Sequence, residues 1–274
     1  MRLLLKISIR TVAIILPLLI ELLFIHTVSA ASSSTVESNK ECRLKYGWAD
    51  WAPLQYIDAS GELTGVQIDL VKAVSKAVGC DIEYIKLSWA QILKGLKSGD
   101  IDFTANATEN DIRKTFAYFS IPYRRDIFSF WVRDEERVRF DHQTVEEIMK
   151  SGMKLGLISD QLYSPEIELW RKDPVFSKNI TYTEEIDDLI LLLEERKVES
   201  IVEDAYIIAF RKRLGGFSRN ISHLSIQTFG YPVAFMFSKK TTSKELAEKY
   251  NQKMRELKNT STFQSIWLDP KLIQ

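Results

Sequence analysis

The chain has 274 residues, 37 basic and 37 acidic side chains, and 45% hydrophobic content. That length supports one large domain or two lobes of ordinary size. The even charge balance gives no broad electrostatic grip on nucleic acid or an anionic membrane, and the sparse, unclustered His142 and His223 argue against a bound metal.

In chain order, residues 1–30 come first, with Arg2, Lys6 and Arg10 ahead of an apolar run that ends in Val28, Ser29 and Ala30. This is the pattern of a secretory signal peptide cut after Ala30. A retained membrane anchor is the rival reading, disfavoured by Pro17 and Glu21 inside the run. Cleavage leaves a slightly acidic chain whose residues 31–41 form a flexible N-terminal segment. Export places Cys42 and Cys80 in an oxidising compartment. Each precedes a predicted strand, 43–48 and 81–87, and one helix joins the two. A right-handed crossover makes such strands parallel, so their starts share one sheet edge and a Cys42–Cys80 disulfide is expected.

Apolar residues at 66, 68, 70, 71, 74, 77 and 78 predict a helix over 66–78, with Gly79 as its C-cap. Strand 82–87, helix 89–96, strand 101–105 and a short helix 109–116 follow, and the alternation implies a mostly parallel sheet covered on both faces. A β-rich segment, 126–133, leads into the charged stretch 134–141. A second alternating series then begins: helix 144–150, strand 154–158, helix 164–172, strand 180–182, helix 186–197, strand 200–203 and helix 205–214. Strand 231–238 and helix 244–257 close the series. Two series suggest two α/β lobes, 42–127 and 128–228, with 229–274 returning to the first.

Side chains that carry recognition chemistry gather near predicted strand ends, where α/β sheets hold ligands. Trp48 and Trp51 flank a turn before Pro53, and Trp89 opens a helix. They form an aromatic wall able to stack on apolar or cationic groups, although indoles of this kind also fill cores. Asn106 and Thr108 offer an amide and a hydroxyl. Arg113 offers a guanidinium suited to a carboxylate, unless it lies on a solvated helix face. Asp204 either caps a helix or opposes an amine. For catalysis the chain has no Gly-rich phosphate loop, no GxSxG elbow and no zinc pattern. The match to S-x-x-K at 151–154 is too short to carry weight, and no cofactor is expected.

The stretch WADWAPLQYIDASGELTGVQIDLVKAVSKAVG, followed by SWAQILKGLKSGDIDFTANATENDIRKTFAYFSIPY, resembles the extracellular solute-binding proteins of family 3. These are known as periplasmic receptors for polar amino acids in ABC importers, and the resemblance runs from Cys42 to Leu268. It implies the type II periplasmic-binding-protein fold: two α/β lobes, each a mostly parallel sheet flanked by helices, joined by two hinge strands that close on ligand. It implies that Trp51 packs on the ligand side chain and that Trp89 is a second wall. Asn106 and Thr108 would bind the ligand, Arg113 its α-carboxylate and Asp204 its α-amino group. Trp48 stands where relatives have a smaller or acidic residue and favours an apolar or cationic tail.

One departure is the second-lobe turn Ser159, Asp160, Gln161, Leu162, Tyr163, where relatives have a small hydroxyl turn. Gln161 is assigned to the ligand site, while Asp160 puts negative charge where an anion would dock. The expected function is capture of a small zwitterionic or cationic, amino-acid-like metabolite by a periplasmic monomer for an ABC permease. The alternatives are a ligand-binding sensor component or an enzyme like cyclohexadienyl dehydratase, with Glu109, Asp160 or Glu203 as its acid.

Overall fold

The computed structural model describes residues 42–141, 144–214 and 220–267. Residues 1–30, expected to be a signal peptide, the segment 31–41 and His142 lie outside the described residues.

The first lobe begins with β1 (Cys42–Trp48), a hairpin of β2 (Tyr56–Ile57) and β3 (Leu63–Thr64), α1 (Val66–Val78) and β4 (Cys80–Lys86). It continues with α2 (Trp89–Ser98), β5 (Phe103–Thr108), α3 (Asp111–Phe116) and β6 (Ala117–Phe119). β7 (Arg124–Arg133) leads out of it. A 3-10 turn (Asp134–Glu136), α4 (Arg137–Phe140), α5 (Val145–Lys150), β8 (Leu155–Ile158), α6 (Pro165–Lys172), α7 (Pro174–Ser177), β9 (Ile180–Thr183), α8 (Ile186–Glu194), β10 (Ser200–Asp204) and α9 (Ala205–Leu214) follow. The long β11 (Ile221–Ser238) then returns the chain to α10 (Lys244–Lys258) and α11 (Ser261–Trp267).

The main sheet runs β4-β1-β5-β11-β7-β10-β8-β9, with β6 also paired to β11. Each lobe has a parallel core of three strands, β4-β1-β5 in one and β10-β8-β9 in the other. Between them lie β7 and β11, antiparallel to each other and to their outer neighbours. The C-terminal part of β11 pairs with β5 of the first lobe, and its earlier part pairs with β7 of the second. The two strands therefore carry the chain between lobes.

Alternation along the strands explains the layers. Leu44, Tyr46 and Trp48 of β1 and Phe103 of β5 join Ile68, Val71 and Tyr250 in one first-lobe core. Phe103 stacks on Phe237 with ring centroids 5.5 Å apart. Phe128, Phe130, Leu155, Leu157 and Val202 form the second-lobe core with Tyr163 and Ile167. A third cluster spans both lobes, from Trp51, Trp89 and Ile92 to Trp131, Ile201 and Ile207.

Helix α1 starts after Gly65 at φ 121, where an added Cβ would sit 2.4 Å from the Leu54 carbonyl oxygen. Only glycine fits this turn. α2 is fixed by a capping box between Ser88 and Gln91 and ends at left-handed Gly99.

Several boundaries differ from the sequence reading. Strand β5 runs Phe103–Thr108 rather than 101–105, because Ile101 turns into the packing of α2. Helix α8 stops at Glu194, and Arg196 takes φ 60 in the turn that follows. The largest difference is β11, which begins ten residues ahead of the expected strand. Its register slips between His223 and Gln227 and again between Phe229 and Pro232, so no regular alternation marks it in the sequence.

Cys42 and Cys80 are register partners at the start of β1 and β4, and they form a disulfide with Cα atoms 4.5 Å apart. The bond closes a loop of sequence separation 38, so its loss should cost about 2–4 kcal/mol by release of the unfolded chain. The Cys42→Ser/Cys80→Ser variant is expected to show that difference in chemical denaturation, with no change in its folded circular dichroism.

Candidate functional site

A cavity lies between the lobes where β5 and β10 end and β7 begins. Its lining includes Trp51, Trp89, Asn106, Thr108, Arg113, Gln161 and Asp204. The structure therefore brings together every sequence-selected site residue except Trp48. Trp48 is 3% exposed and belongs to the first-lobe core, because strand alternation turns it to the same face as Leu44 and Tyr46. Lys86 lies over its ring at 5.4 Å. The correction is that Trp48 supports the sheet and does not line the cavity.

Local structure aims the remaining groups. The loop that carries Trp51 is pinned by Gln55, which accepts from the Tyr46 hydroxyl at 2.7 Å and donates to the Ala49 carbonyl at 2.9 Å. Trp51 and Trp89 rings meet at 5.5 Å. In β5, Asn106 takes φ 56, and the β5–β11 register slips beside it, between Ala234 and Met236. This bulge ends the simple alternation of β5 and re-aims Asn106 and Thr108 into the cavity. The Asn106 amide N–H donates to the Tyr123 hydroxyl, which donates to Gln67 Oε1, both at 2.7 Å.

Arg113 is 6% exposed, not a solvated helix residue. Asn110 caps α3 and positions it. Its Nη1 donates to the Thr108 carbonyl at 2.9 Å and its Nη2 to the Asp160 carbonyl at 2.7 Å, while the guanidinium lies 5.2 Å from the Trp89 ring centre. Trp89 Nε1 also donates to the Asp160 carbonyl, at 3.0 Å. Burial lowers the Arg113 pKa to about 10, against the opposing pull of Asp160 and Glu168, so the group stays charged near neutrality.

Asp160 does not place its carboxylate in the cavity. It adopts φ 58, its side chain is exposed, and its backbone carbonyl points inward to bridge the lobes. The turn thus tolerates a non-glycine left-handed residue at a contact between lobes. Further inter-lobe contacts come from Ser88 to Glu184 at 3.3 Å and from Arg211, which pairs with Asp50 at 3.2 Å and with Asp187.

Among the residues that line the cavity, Arg124, Asp126 and Phe128 are ones the sequence reading did not select. Arg124 donates through Nε to Asn106 Oδ1 at 2.9 Å, pairs with Asp204 Oδ2 at 3.1 Å and makes a short ion pair with Asp126. Asp204, 2% exposed, also accepts from the Tyr206 amide at 3.0 Å through Oδ1. It is both the helix cap and one arm of a buried ion triad. The sequence signal was present in the RRD run after FSIPY, but a charged run reads by default as surface. One guanidinium serves two carboxylates here, so burial prevails at Asp126 and pushes it up to about 6.

Glu203 and Gln161 complete the cavity. Glu203 is 1% exposed, and its Oε1 accepts from the Asp204 amide at 2.8 Å and from Gln161 Nε2 at 3.4 Å. Among the described residues, neither Glu203 Oε2 nor Gln161 Oε1 has a hydrogen-bond partner. Burial raises the Glu203 pKa to about 8, with Asp204 and Asp126 adding like charge. Of the three candidate acids, Glu109 is exposed and pairs with Lys114 at 3.6 Å, and Asp160 is exposed; only Glu203 lines the cavity. No group of His, Cys, Asp and Glu that could hold a metal occurs among the described residues.

The space left between these groups is tight. About 20 Å³ is open to the centre of a water-sized sphere, room for on the order of one water.

Two measurements test the electrostatics. Arg124→Met should cost roughly 3–5 kcal/mol near neutral pH, because it strands two buried carboxylates, and less near pH 5, where Asp126 is protonated; urea denaturation at the two pH values reads the difference. Glu203 has an ordinary value of 4.5 and a folded value of about 8. Between these the unfolded chain has released the proton and the folded chain retains it, so stability falls as pH rises through that window and levels above it. Glu203→Gln should flatten that slope in thermal melts.

Comparison with known proteins adds the following. The model of the bacterial extracellular solute-binding proteins, family 3, matches residues 44–268. A probable histidine-binding protein of Neisseria gonorrhoeae is 28% identical over 162 residues, which are 59% of this chain and 58% of that protein. A cyclohexadienyl dehydratase of Pseudomonas aeruginosa is 27% identical over 105 residues, 38% of either chain. The chain thus matches less than two thirds of the length of both curated relatives. Among solved structures, an ancestral arginine-binding protein bound to glutamine aligns at a TM-score of 0.69 and 23% identity, covering 82% of this chain and 96% of that one.

Proposed function

This chain belongs to the bacterial extracellular solute-binding proteins of family 3, and from that premise we propose that it captures a small zwitterionic or cationic, amino-acid-like solute between its lobes. The observation that carries this reading is Arg113: a buried guanidinium whose Nη2 donates to the Asp160 carbonyl of the opposite lobe. A ligand carboxylate offers a charged acceptor in place of that neutral one, and a charge-assisted pair is the stronger bond. Trp89 Nε1 shares the same carbonyl, so parting the lobes frees both donors at once.

The cavity is too small for an amino acid as it stands, so entry requires opening about the crossing strands. β7 and β11 supply the hinge near 124–127 and 229–233, where the register of β11 slips. That position supports lobe boundaries at 42–127 and 128–228, with 229–274 returning. Trp51 and Trp89 wall the ligand, and Asn106, Thr108 and Gln161 set its polar contacts. An α-amino group would share Asp204 with Arg124, since Arg124 already holds Oδ2.

Cleavage of residues 1–30 would deliver a monomer to the periplasm, where closure presents a surface to an ABC permease. None of the described helices is long and apolar enough to cross a membrane. The enzyme alternative retains one candidate acid, Glu203, and turnover of prephenate or arogenate by the purified protein would establish it in place of capture.

The protein expressed with its own leader and purified should be screened by thermal shift against amino acids, polyamines and small organic acids. A ligand at about a hundred times its dissociation constant adds about 2.7 kcal/mol. Arg113→Ala is expected to weaken that ligand on the order of 10- to 100-fold, with Arg113→Lys intermediate. Unaltered affinity in both variants would move the site elsewhere.

A further inference from the structure

We propose that Glu203, with Gln161 beside it, is a cation-selecting subsite: a positively charged, N–H-rich group on the ligand seats against Glu203 Oε2 and Gln161 Oε1, and Glu203 releases its proton to solvent as it does so. This rests on the amino-acid-like reading above and deepens it by naming the ligand class and the linkage.

The first support is unmet hydrogen bonding. Two buried acceptor oxygens, on neighbouring side chains in the same cavity, lack any donor among the described residues. Buried polar atoms are seldom left this way, and each costs free energy while unpaired. Ammonium brings three donors and guanidinium five, so either can satisfy both oxygens.

The second support is where the proton must sit. Glu203 Oε1 already accepts from the Asp204 amide and from Gln161 Nε2. A neutral Glu203 therefore carries its hydrogen on Oε2, on the oxygen left for the ligand. When the cation arrives, the Oε2–H bond breaks, the proton passes to solvent, and ligand N–H groups take over the oxygen. Atoms and charge balance without any further reactant.

The third support is the charge of the cavity. Arg113 and Arg124 face Asp126 and Asp204, so a protonated Glu203 leaves the lining neutral. That suits the balanced head group of a zwitterion. A further positive charge on the side chain needs a counter-charge, and the groups around Glu203 are Asp204, Asp126, Tyr163 and Gln161. The two aspartates are committed to Arg124, and Tyr163 is held neutral by burial. Above about pH 7, where Asp126 has already released its proton, Glu203 is the cavity group left to supply the charge by losing a proton. Burial, which keeps the carboxyl neutral without ligand, also strengthens its attraction to a cation once the cleft is closed.

Calorimetric titration of the whole protein with L-arginine and L-glutamine, in buffers of different ionisation enthalpy and at several values between about pH 7 and 7.5, above the titration of Asp126, tests the proposal. L-arginine should release close to one proton and tighten by approaching tenfold per pH unit, whereas L-glutamine should release none. Glu203→Gln should abolish the release and weaken L-arginine tenfold or more at the upper pH, while L-glutamine affinity stays within about threefold. A thermal melt checks its fold, and Gln161→Leu, which leaves the carboxyl itself in place, should weaken L-arginine more than L-glutamine. L-arginine binding without proton release, or an unchanged preference in Glu203→Gln, overturns the inference and leaves capture standing. Binding of neither probe also overturns it, and the wider thermal-shift panel then decides separately whether capture survives.

Discussion

The buried cation Arg124 is the constraint on which the arrangement between the lobes depends. It stands at the start of a crossing strand, and its bonds reach Asn106 on β5, Asp126 on β7 and Asp204 on β10. Three strands from two lobes thus converge on one guanidinium. A planar fork of five donors can serve three acceptors at fixed angles, which a lysine ammonium could not reproduce. The cost of desolvating the ions is offset only while the set is complete. That condition ties the hinge, the bulge in β5 and the cap of α9 to one geometry.

Closure uses a second polar contact of a different kind. The Asp160 carbonyl receives hydrogen bonds from both Arg113 and Trp89, so the second lobe places a neutral acceptor where the first lobe concentrates donors. The contact satisfies two buried donors, and in the capture proposed above a solute carboxylate would replace it as a stronger, charged acceptor. Left-handed backbone occurs at Asn106, which lines the cavity, and at Asp160, next to the lining residue Gln161, which fits the tendency of strained conformations to gather where groups must be aimed.

The sequence made much of this readable, though unevenly. Helix α1 showed its apolar stripe and its terminal glycine, and the two cysteines announced their pairing because parallel strands joined by one helix begin at the same edge. Elements governed by local periodicity lay close to their expected positions. β11 did not, because its slips of register, with Gly230 and Pro232 inside it, erase alternation; its pairing comes from β5 and β7. Trp48 misled because its position in the chain, beside a turn and near Trp51, says nothing of which face of β1 it occupies. Arg124 and Asp126 were hidden in an ordinary charged run, and Glu203 was readable only as a candidate acid.

By itself the sequence determined the class of the fold, the order of its elements, the family, and the concentration of Trp51, Trp89, Asn106, Thr108, Arg113, Gln161 and Asp204 near strand ends. These follow from patterns of a few residues, in which side-chain spacing is set by backbone geometry. Only the tertiary structure decided that Trp48 is core, that Asp160 contributes a carbonyl rather than a charge, and that Asp204 is bound to Arg124. It also decided that Glu203 is buried with one oxygen unpaired. Such facts depend on distances between residues up to 80 positions apart and on the exclusion of water from between them. Burial, more than identity, sets whether a charged side chain is a surface group or a recognition group.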